Sequence, residues 1–297
     1  MEGVGLMRGV DARHYWLEAR FRNDDPDWNG DIYPFNLPVV RGLDCIEFHP
    51  KVTFFVGENG SGKSTLIEAL AVAWGFNAEG GSKNFNFASR ASHSSLHRFV
   101  RPVRSARRAK DGFFLRAESF FNAASYIDEV NVADSYGGKS LHEQSHGESF
   151  FALFENRFHG EGLYILDEPE AALSPSRQMA FLSRMHDLIR DDSQFIIATH
   201  SPIILGYPDA DIWQVSKYGL ERIAYEDTEH VQVTRQFSTT ATSCSICCWM
   251  TRTQRNRRGS RARRALFLSA IGRRFRCGRG LAGRPACRAS GRRRRTG

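Results

Sequence analysis

The chain has 297 residues, enough for one large domain or two small ones. Its net charge of +8 hides two opposed parts: residues 1–237 carry 24 Lys and Arg against 33 Asp and Glu, a net of −9, while residues 238–297 carry 17 Arg and no acid, a net of +17. No run of about 18 apolar residues is present, and the N-terminus MEGVGLMRGVDARHYW has no apolar core, so neither a membrane span nor a signal peptide is read and a cytoplasmic location is expected.

In chain order, residues 43–48 (LDCIEF) and 52–56 (VTFFV) predict strands, and 63–74 (KSTLIEALAVAW) predicts a helix. Residues 75–112 read as irregular, rich in Gly, Ser and Asn and then basic; 113–117 (FFLRA) predicts a strand. Phe150, Phe151, Phe154 and Phe158 fall on one helical face. LYILD at 163–167 is a continuous apolar run, suited to a buried parallel strand. Ser174 followed by Pro175 has the pattern of an N-cap and first helical residue, opening a helix to about Arg190. FIIAT at 195–199 reads as another buried strand, and 212–225 as a closing strand or hairpin. No internal repeat is visible, and the alternation predicts an α/β fold.

Three segments carry chemistry. GENGSGKST (57–65) fits G-x-x-x-x-G-K-[ST] through Gly57, Gly62, Lys63 and Ser64, with an apolar strand before it and a helix after it. Glycines let backbone N–H groups curl around a phosphate, and the helix N-terminus adds positive potential. Lys63 would reach the β- and γ-phosphates, and the Ser64 hydroxyl would ligate Mg²⁺. In LYILDEPE, Asp167 and Glu168 stand at a buried strand end, where one carboxylate can hold a hard cation and the other can polarise a water. The plain alternative is a turn, since Asp-Glu-Pro opens loops well. In FIIATHSP, His200 follows an apolar strand; it is either a surface loop histidine or a group for the γ-phosphate or attacking water. In a doubly wound sheet, strands ending at Val56, Asp167 and Thr199 would bring Lys63, Glu168 and His200 to one rim.

Two further segments are less specific. In LHEQSHGESF (141–150), Ser145 and Glu148 have capping-box spacing ahead of the phenylalanine face, and a Ser-capped helix start beside Gly147 is also an anion site. No strand precedes Ser145, which argues against a nucleophile elbow. Arg98, Arg101, Arg104, Arg107, Arg108 and Lys110 lie within thirteen residues that hold no acid. They read as a solvated hairpin balancing an acidic body, or as a contact for nucleotide, DNA or RNA phosphates.

The order GENGSGKST, SHGES, LYILDEPEAALS, ATHSP resembles ATP-binding-cassette-type ATPases, and within them the soluble, non-transporter AAA-like group related to RecF and SMC heads. The resemblance covers about 40–237, and by general pattern the N-terminal 40 as well. It implies a P-loop NTPase fold of cassette type: a mostly parallel sheet with flanking helices, plus a small antiparallel N-terminal sheet. It implies that Gly57, Asn59, Gly60, Ser61, Gly62, Lys63, Ser64 and Thr65 bind ATP, that Asp167 with Ser64 holds Mg²⁺, that Glu168 is the catalytic base, and that His200 is the switch histidine. It also implies that Ser145 and Gly147 meet the γ-phosphate held by a partner subunit, so that ATP binds between two head-to-tail protomers. Two positions depart from the pattern. Ser174 stands where an aspartate is usual, and no clear Q-loop glutamine is present, Glu118 being the nearest candidate.

Mg²⁺-dependent ATP hydrolysis is therefore expected, with a nucleotide-gated clamp on DNA or protein, or a transporter's ATPase subunit, as alternatives. The 104 residues from Lys63 to Asp167 are too few for a long coiled coil, and 238–297 holds no carboxylate for a fused metal-dependent nuclease. Residues 1–237 read as one ATPase domain. Residues 238–297, with five of the six cysteines, read as a non-native or frameshifted tail, with a basic arm for nucleic acid and a zinc site at Cys244, Cys247 and Cys248 as rivals.

Overall fold

The computed structural model describes residues 14–82, 94–116, 146–241, 277–279 and 285–287. Contacts divide the chain into Met1–Val231 and Gln232–Gly297.

The first unit is built on a six-stranded sheet. Its strands are β3 (Val52–Gly57), β5 (Asp111–Arg116), β6 (Gly162–Asp167), β7 (Gln194–Ala198), β8 (Asp211–Ser216) and β9 (Gly219–Arg222), in the order β5-β6-β7-β3-β8-β9. All neighbours are parallel except the β8–β9 hairpin. Strands β3, β6 and β7 are buried along their whole length, as their unbroken apolar runs predict for a sheet covered on both faces.

Side chains alternate between two cores because successive residues of a strand point to opposite faces. Phe55, Leu163, Ile165, Ile196 and Ala198 enter one core together with Leu66, Ile67, Leu70 and Trp74 of helix α1 (Lys63–Trp74). Phe54, Tyr164, Leu166, Phe195 and Ile197 enter the other. There they meet Phe150, Phe154 and Phe158 from the region of α2 (His146–Arg157), and Phe181, Met185 and Leu188 of α3 (Pro175–Arg190). The predicted phenylalanine face is thus the buried face, although Phe151 is only half-buried and Phe158 lies just past the helix. Ser174 caps α3, its Oγ accepting from Arg177 N at 3.4 Å, with Pro175 as the first helical residue.

A second sheet, β2-β1-β4, is antiparallel and matches the small sheet that the family resemblance implies. It comprises β1 (Trp16–Phe21), β2 (Cys45–Glu47) and β4 (Val100–Arg104). Two of its strands correct the reading of the sequence. β1 was not located by the sequence pattern, although the resemblance implies an N-terminal sheet, and β4 lies inside the stretch 75–112 that reads as irregular. Pro102 obscures β4, yet an edge strand tolerates a residue with no N–H to donate. Half of the basic run is engaged within the molecule, while Arg98, Arg101 and Arg108 are exposed. Arg104 lies over the Trp74 ring at 4.2 Å, Arg107 pairs with Asp192 at 3.1 Å, and Lys110 pairs with Glu161.

One side chain ties the two sheets together. Gln194 opens β7 and is fully buried. Its Oε1 accepts from Tyr15 N (3.1 Å) and Trp16 N (2.9 Å), and its Nε2 donates to Trp16 O (2.9 Å) and His49 O (3.2 Å). The Tyr15 and Trp16 bonds are buried and the His49 bond is partly so, and the amide's two donors and two acceptor sites are all used.

Helix α4 (Glu229–Ala241) begins in the first unit and runs through Phe237. In the second unit, β10 (Cys277–Arg279) and β11 (Pro285–Cys287) pair antiparallel. The cysteines at 244, 247 and 248 lie outside the described residues. Among the described residues no helix is long and apolar enough to cross a membrane.

Gln194→Leu keeps the volume near that of Gln but leaves four backbone groups without their partner, three of them buried. It should lower the unfolding free energy by about 3 kcal/mol or more. Urea denaturation of the full chain monitored by tryptophan fluorescence measures this, since Trp16 is among the groups released.

Candidate functional site

The loop Gly57–Gly62 turns out of β3 into α1. Its two end glycines are required by geometry. A Cβ on Gly57 would run into the Val215 carbonyl of β8. Gly62 caps α1 at φ 96°, where side chains are strained, and a Cβ there would strike Val39 at 2.8 Å. Lys63 is buried, and its ammonium donates to the Gly57 and Glu58 carbonyls at 2.9 and 3.0 Å. Burial pushes its pKa down, against the opposing pull of Glu168, Asp167 and Glu170. Glu58, Asn59 and Gly60 are exposed, and Tyr33 Oη lies 3.3 Å from Thr65 Oγ1.

The carboxyl ends of β3, β6 and β7 meet at this loop, as the three strand ends predict. Ser64 Oγ is 3.4 Å from Asp167 Oδ1. Asp167 is buried beside Arg116, whose Nε is 3.9 Å from Oδ2, and Arg116 is itself fixed by Glu68 of α1 at 2.7 Å. Glu168 takes the left-handed conformation at φ 55° and ψ 52°. That conformation is uncommon for a residue with a side chain, and it precedes Pro169. The strain costs on the order of 1 kcal/mol. It turns the carboxylate away from its neighbour and toward His200, with Glu168 Oε1 3.4 Å from His200 Nε2. Asp167 and Glu168 are thus adjacent in sequence and separate in contacts.

Two residues of this rim were not anticipated from the sequence. Glu170 accepts from Thr199 Oγ1 at 2.8 Å and from the His200 backbone N–H, so both its oxygens hold the loop after β7 in place. Burial drives its pKa upward, while those hydrogen bonds oppose the shift. His230, from the first turn of α4, places Nε2 3.0 Å from His200 Nδ1. Burial lowers the pKa of both rings; Lys63 lowers that of His200 further, while Glu168 raises it. The third acid in DEPE offered a signal for Glu170. Nothing offered one for His230, which tertiary folding alone brings to the site. Beside the loop, a cavity of about 540 Å³ opens between Gly57–Ser61, the β8–β9 turn, Glu229 and His230.

Gly147 stands in the first turn of α2, away from these contacts. A Cβ there would meet Ala172 O at 2.7 Å and Arg177 Nη1 at 2.9 Å, so the turn packs against the segment that leads to Ser174. Ser145 and Glu118 lie outside the described residues. No cluster of three or more His, Cys, Asp or Glu side chains that could hold a metal occurs among the described residues.

Comparison with known proteins gives two family matches. Residues 34–124 match the family model of an AAA domain, and residues 150–206 match a second, described as "AAA domain, putative AbiEii toxin, Type IV TA system". The first match holds the phosphate loop, and the second holds Asp167, Glu168 and His200. An ABC transporter G family member, STR2, from Medicago truncatula is 25% identical over an alignment of 206 positions that covers 63% of this chain and 27% of that protein. The DNA replication and repair protein RecF of Colwellia psychrerythraea is 65% identical over 26 residues, 9% of this chain and 7% of that one. The chain therefore spans about a quarter or less of the length of these relatives. Among solved structures, the SMC head domain from Thermotoga maritima covers 60% of this chain and 92% of its own, at 18% identity and a TM-score of 0.34. A putative metal-chelate type ABC transporter covers 74% and 88%, at 15% identity and a TM-score of 0.43. The two segments that match AAA domains thus hold between them the phosphate-loop motif, the acidic strand end and the histidine motif, which resemble those of ABC- and AAA-like P-loop ATPases.

Glu170→Ala leaves the Thr199 hydroxyl and the His200 amide without their acceptor. It should cost about 2–3 kcal/mol of unfolding free energy. Glu170→Gln keeps an oxygen for the amide and a donor for the hydroxyl, and should cost less than about 1 kcal/mol. Parallel urea titrations of the two variants provide the comparison.

Proposed function

We propose that this chain binds ATP with Mg²⁺ at the rim formed by β3, β6 and β7 and hydrolyses it. The observation that carries the proposal is the division of labour at one strand edge. Ser64 and Asp167 present oxygens to each other at 3.4 Å beside Lys63, while Glu168 and His200 form a separate pair at 3.4 Å. The first pair suits a hard cation that keeps most of its waters, and two protein oxygens are enough for Mg²⁺. When bound, Mg²⁺ neutralises charge on the β- and γ-phosphate oxygens.

The loop's N–H groups and the start of α1 would hold the phosphates, and Lys63 would exchange its loop carbonyls for phosphate oxygens. Glu168 would take a proton from a water whose oxygen attacks the γ-phosphorus. The bond to the β-phosphate oxygen breaks, and ADP and phosphate leave. His200 would donate from Nε2 to the γ-phosphate or to that water. A pure nucleotide switch would need the phosphate loop but not the strained Glu168 aimed at a histidine, so turnover is favoured over a clamp without hydrolysis. Gly147 at the head of α2 supports a composite site. With cis contacts supplied by the protomer's own loop, that helix start would serve ATP held by a second copy. Dimerisation and nucleotide binding are then linked.

The full-length chain should hydrolyse ATP in Mg²⁺ and stop in EDTA. Glu168→Gln should lower kcat by about 10²–10³-fold, the range of a lost general base. The same variant with ATP should sediment as a dimer, and Lys63→Ala should bind ATP poorly. Wild-type turnover equal to that of Glu168→Gln would overturn the assignment of the base, and a monomer at saturating ATP would overturn the composite site.

A further inference from the structure

His230 belongs to none of the motifs, yet it touches the ring that the proposed reaction needs. We infer that His230 is a positioning residue: its Nε2–H donates to His200 Nδ1 and so keeps the proton of His200 on Nε2, facing Glu168. The turnover part of this inference rests on the hydrolytic reading above; the tautomer part does not.

The geometry selects this arrangement over its mirror. His200 Nδ1 lies within hydrogen-bond distance of His230 Nε2 at 3.0 Å, while Nε2 is buried without a hydrogen bond and has the Glu168 carboxylate as its ionic neighbour, with Oε1 at 3.4 Å. A carboxylate is an acceptor, so a lone pair on His200 Nε2 would face it unfavourably, and the proton belongs there. A neutral His200 then offers only a lone pair at Nδ1. The 3.0 Å contact therefore needs a proton on His230 Nε2. Both rings are held toward the neutral form by burial, which suits a donor–acceptor pair and not two imidazolium ions. The charged groups acting on the rings are Lys63 and Glu168 for His200, and Glu229 and Lys63 for His230.

His230 is also delivered to this place by built contacts. Tyr225 Oη donates to Pro202 O at 3.1 Å, two residues past His200, and Thr228 Oγ1 donates to Tyr225 O at 2.8 Å. Thr228 and Val231 on either side are buried. The start of α4 is thus anchored against the loop 199–203, and the ring of His230 reaches His200 with centroids 5.1 Å apart at 64°. The same residue lines the cavity beside the phosphate loop, so it joins that cavity to the catalytic pair.

Two polar replacements separate positioning from packing. The amide nitrogen of Gln falls near the place of a histidine Nε2, whereas that of Asn falls near Nδ1 and cannot reach His200. The full chain is labelled with ¹⁵N-histidine, and His200 is assigned by the signals lost in His200→Gln. Long-range ¹⁵N–¹H spectra should show His200 as the Nε2–H tautomer in wild type and in His230→Gln, and as a mixture in His230→Asn. In the same preparations, His230→Asn should lose about tenfold in kcat with KM little changed, and His230→Gln should recover most of it. Melting temperatures of the two variants should agree with each other. An unchanged His200 tautomer in His230→Asn overturns the inference, as does equal loss of kcat in both variants. A wild-type chain with no turnover refutes the hydrolytic reading alone, because the spectra still decide the tautomer.

Discussion

The site depends on one buried strand held in register from both sides. β7 has only five residues, yet it pairs in parallel with β6 and with β3. The ladders place Asp167 and Phe55 opposite the same residue, Ala198. Hydrogen bonds continue past the strand ends, from Glu168 N to Ala198 O at 2.9 Å and from Thr199 N to Phe55 O at 3.1 Å. Three segments far apart in sequence therefore finish at one level. Because side chains alternate, a slip of one residue in β7 would exchange its two cores and move His200 to a new height. The same strand begins with Gln194, which secures the antiparallel sheet. One element fixes the scaffold at one end and the chemistry at the other.

At the rim, the electrostatics concern charges that neutralise one another without merging. Lys63 is buried among Asp167, Glu168 and Glu170, a surplus of negative charge within reach of one ammonium. Each acid has its own partner: Asp167 has Arg116 and Ser64, Glu168 has His200, and Glu170 has Thr199 and the His200 amide. Partnering keeps like charges from collapsing on the lysine, and it assigns each group one direction. The left-handed backbone of Glu168 serves the same end, since an extended conformation there would continue the alternation of β6 and send the side chain to the sheet face opposite Asp167. Local strain at a functional residue is tolerated where the surrounding ladder over-determines it.

Much of this was legible in the sequence. Unbroken apolar runs marked β3, β6 and β7, and the residues just past each run were the ones that meet. The phosphate loop was legible because its glycines answer to steric demands that no other residue meets, as the Cβ positions at Gly57 and Gly62 show. β1 was not legible, since WLEARF mixes buried and half-buried positions with charges on a small sheet. β4 was hidden by Pro102 and by arginines that turn out to cover Tyr15 and Trp74 or pair with acids. Such residues bury their stems while keeping charge near the surface, so composition alone reads them as loop.

The supporting residues, Glu170 in DEPE aside, were invisible for a different reason. A group that meets phosphate must be of a set type at a set spacing, because the ligand's geometry is fixed. A group that holds another group in place needs only a donor or acceptor at the right point in space. Gln194, Glu170, Arg116 and His230 satisfy that weaker demand from four different elements or loops. Their sequence neighbourhoods carry no shared pattern, and only the folded chain brings them to Trp16, Thr199, Asp167 and His200. It follows that the motifs specify what the rim can bind, whereas orientation within it is set by residues free to differ between folds that share those motifs. The histidine pair is the clearest instance: His200 stands where the motif requires it, and the proton it presents depends on a helix outside every motif.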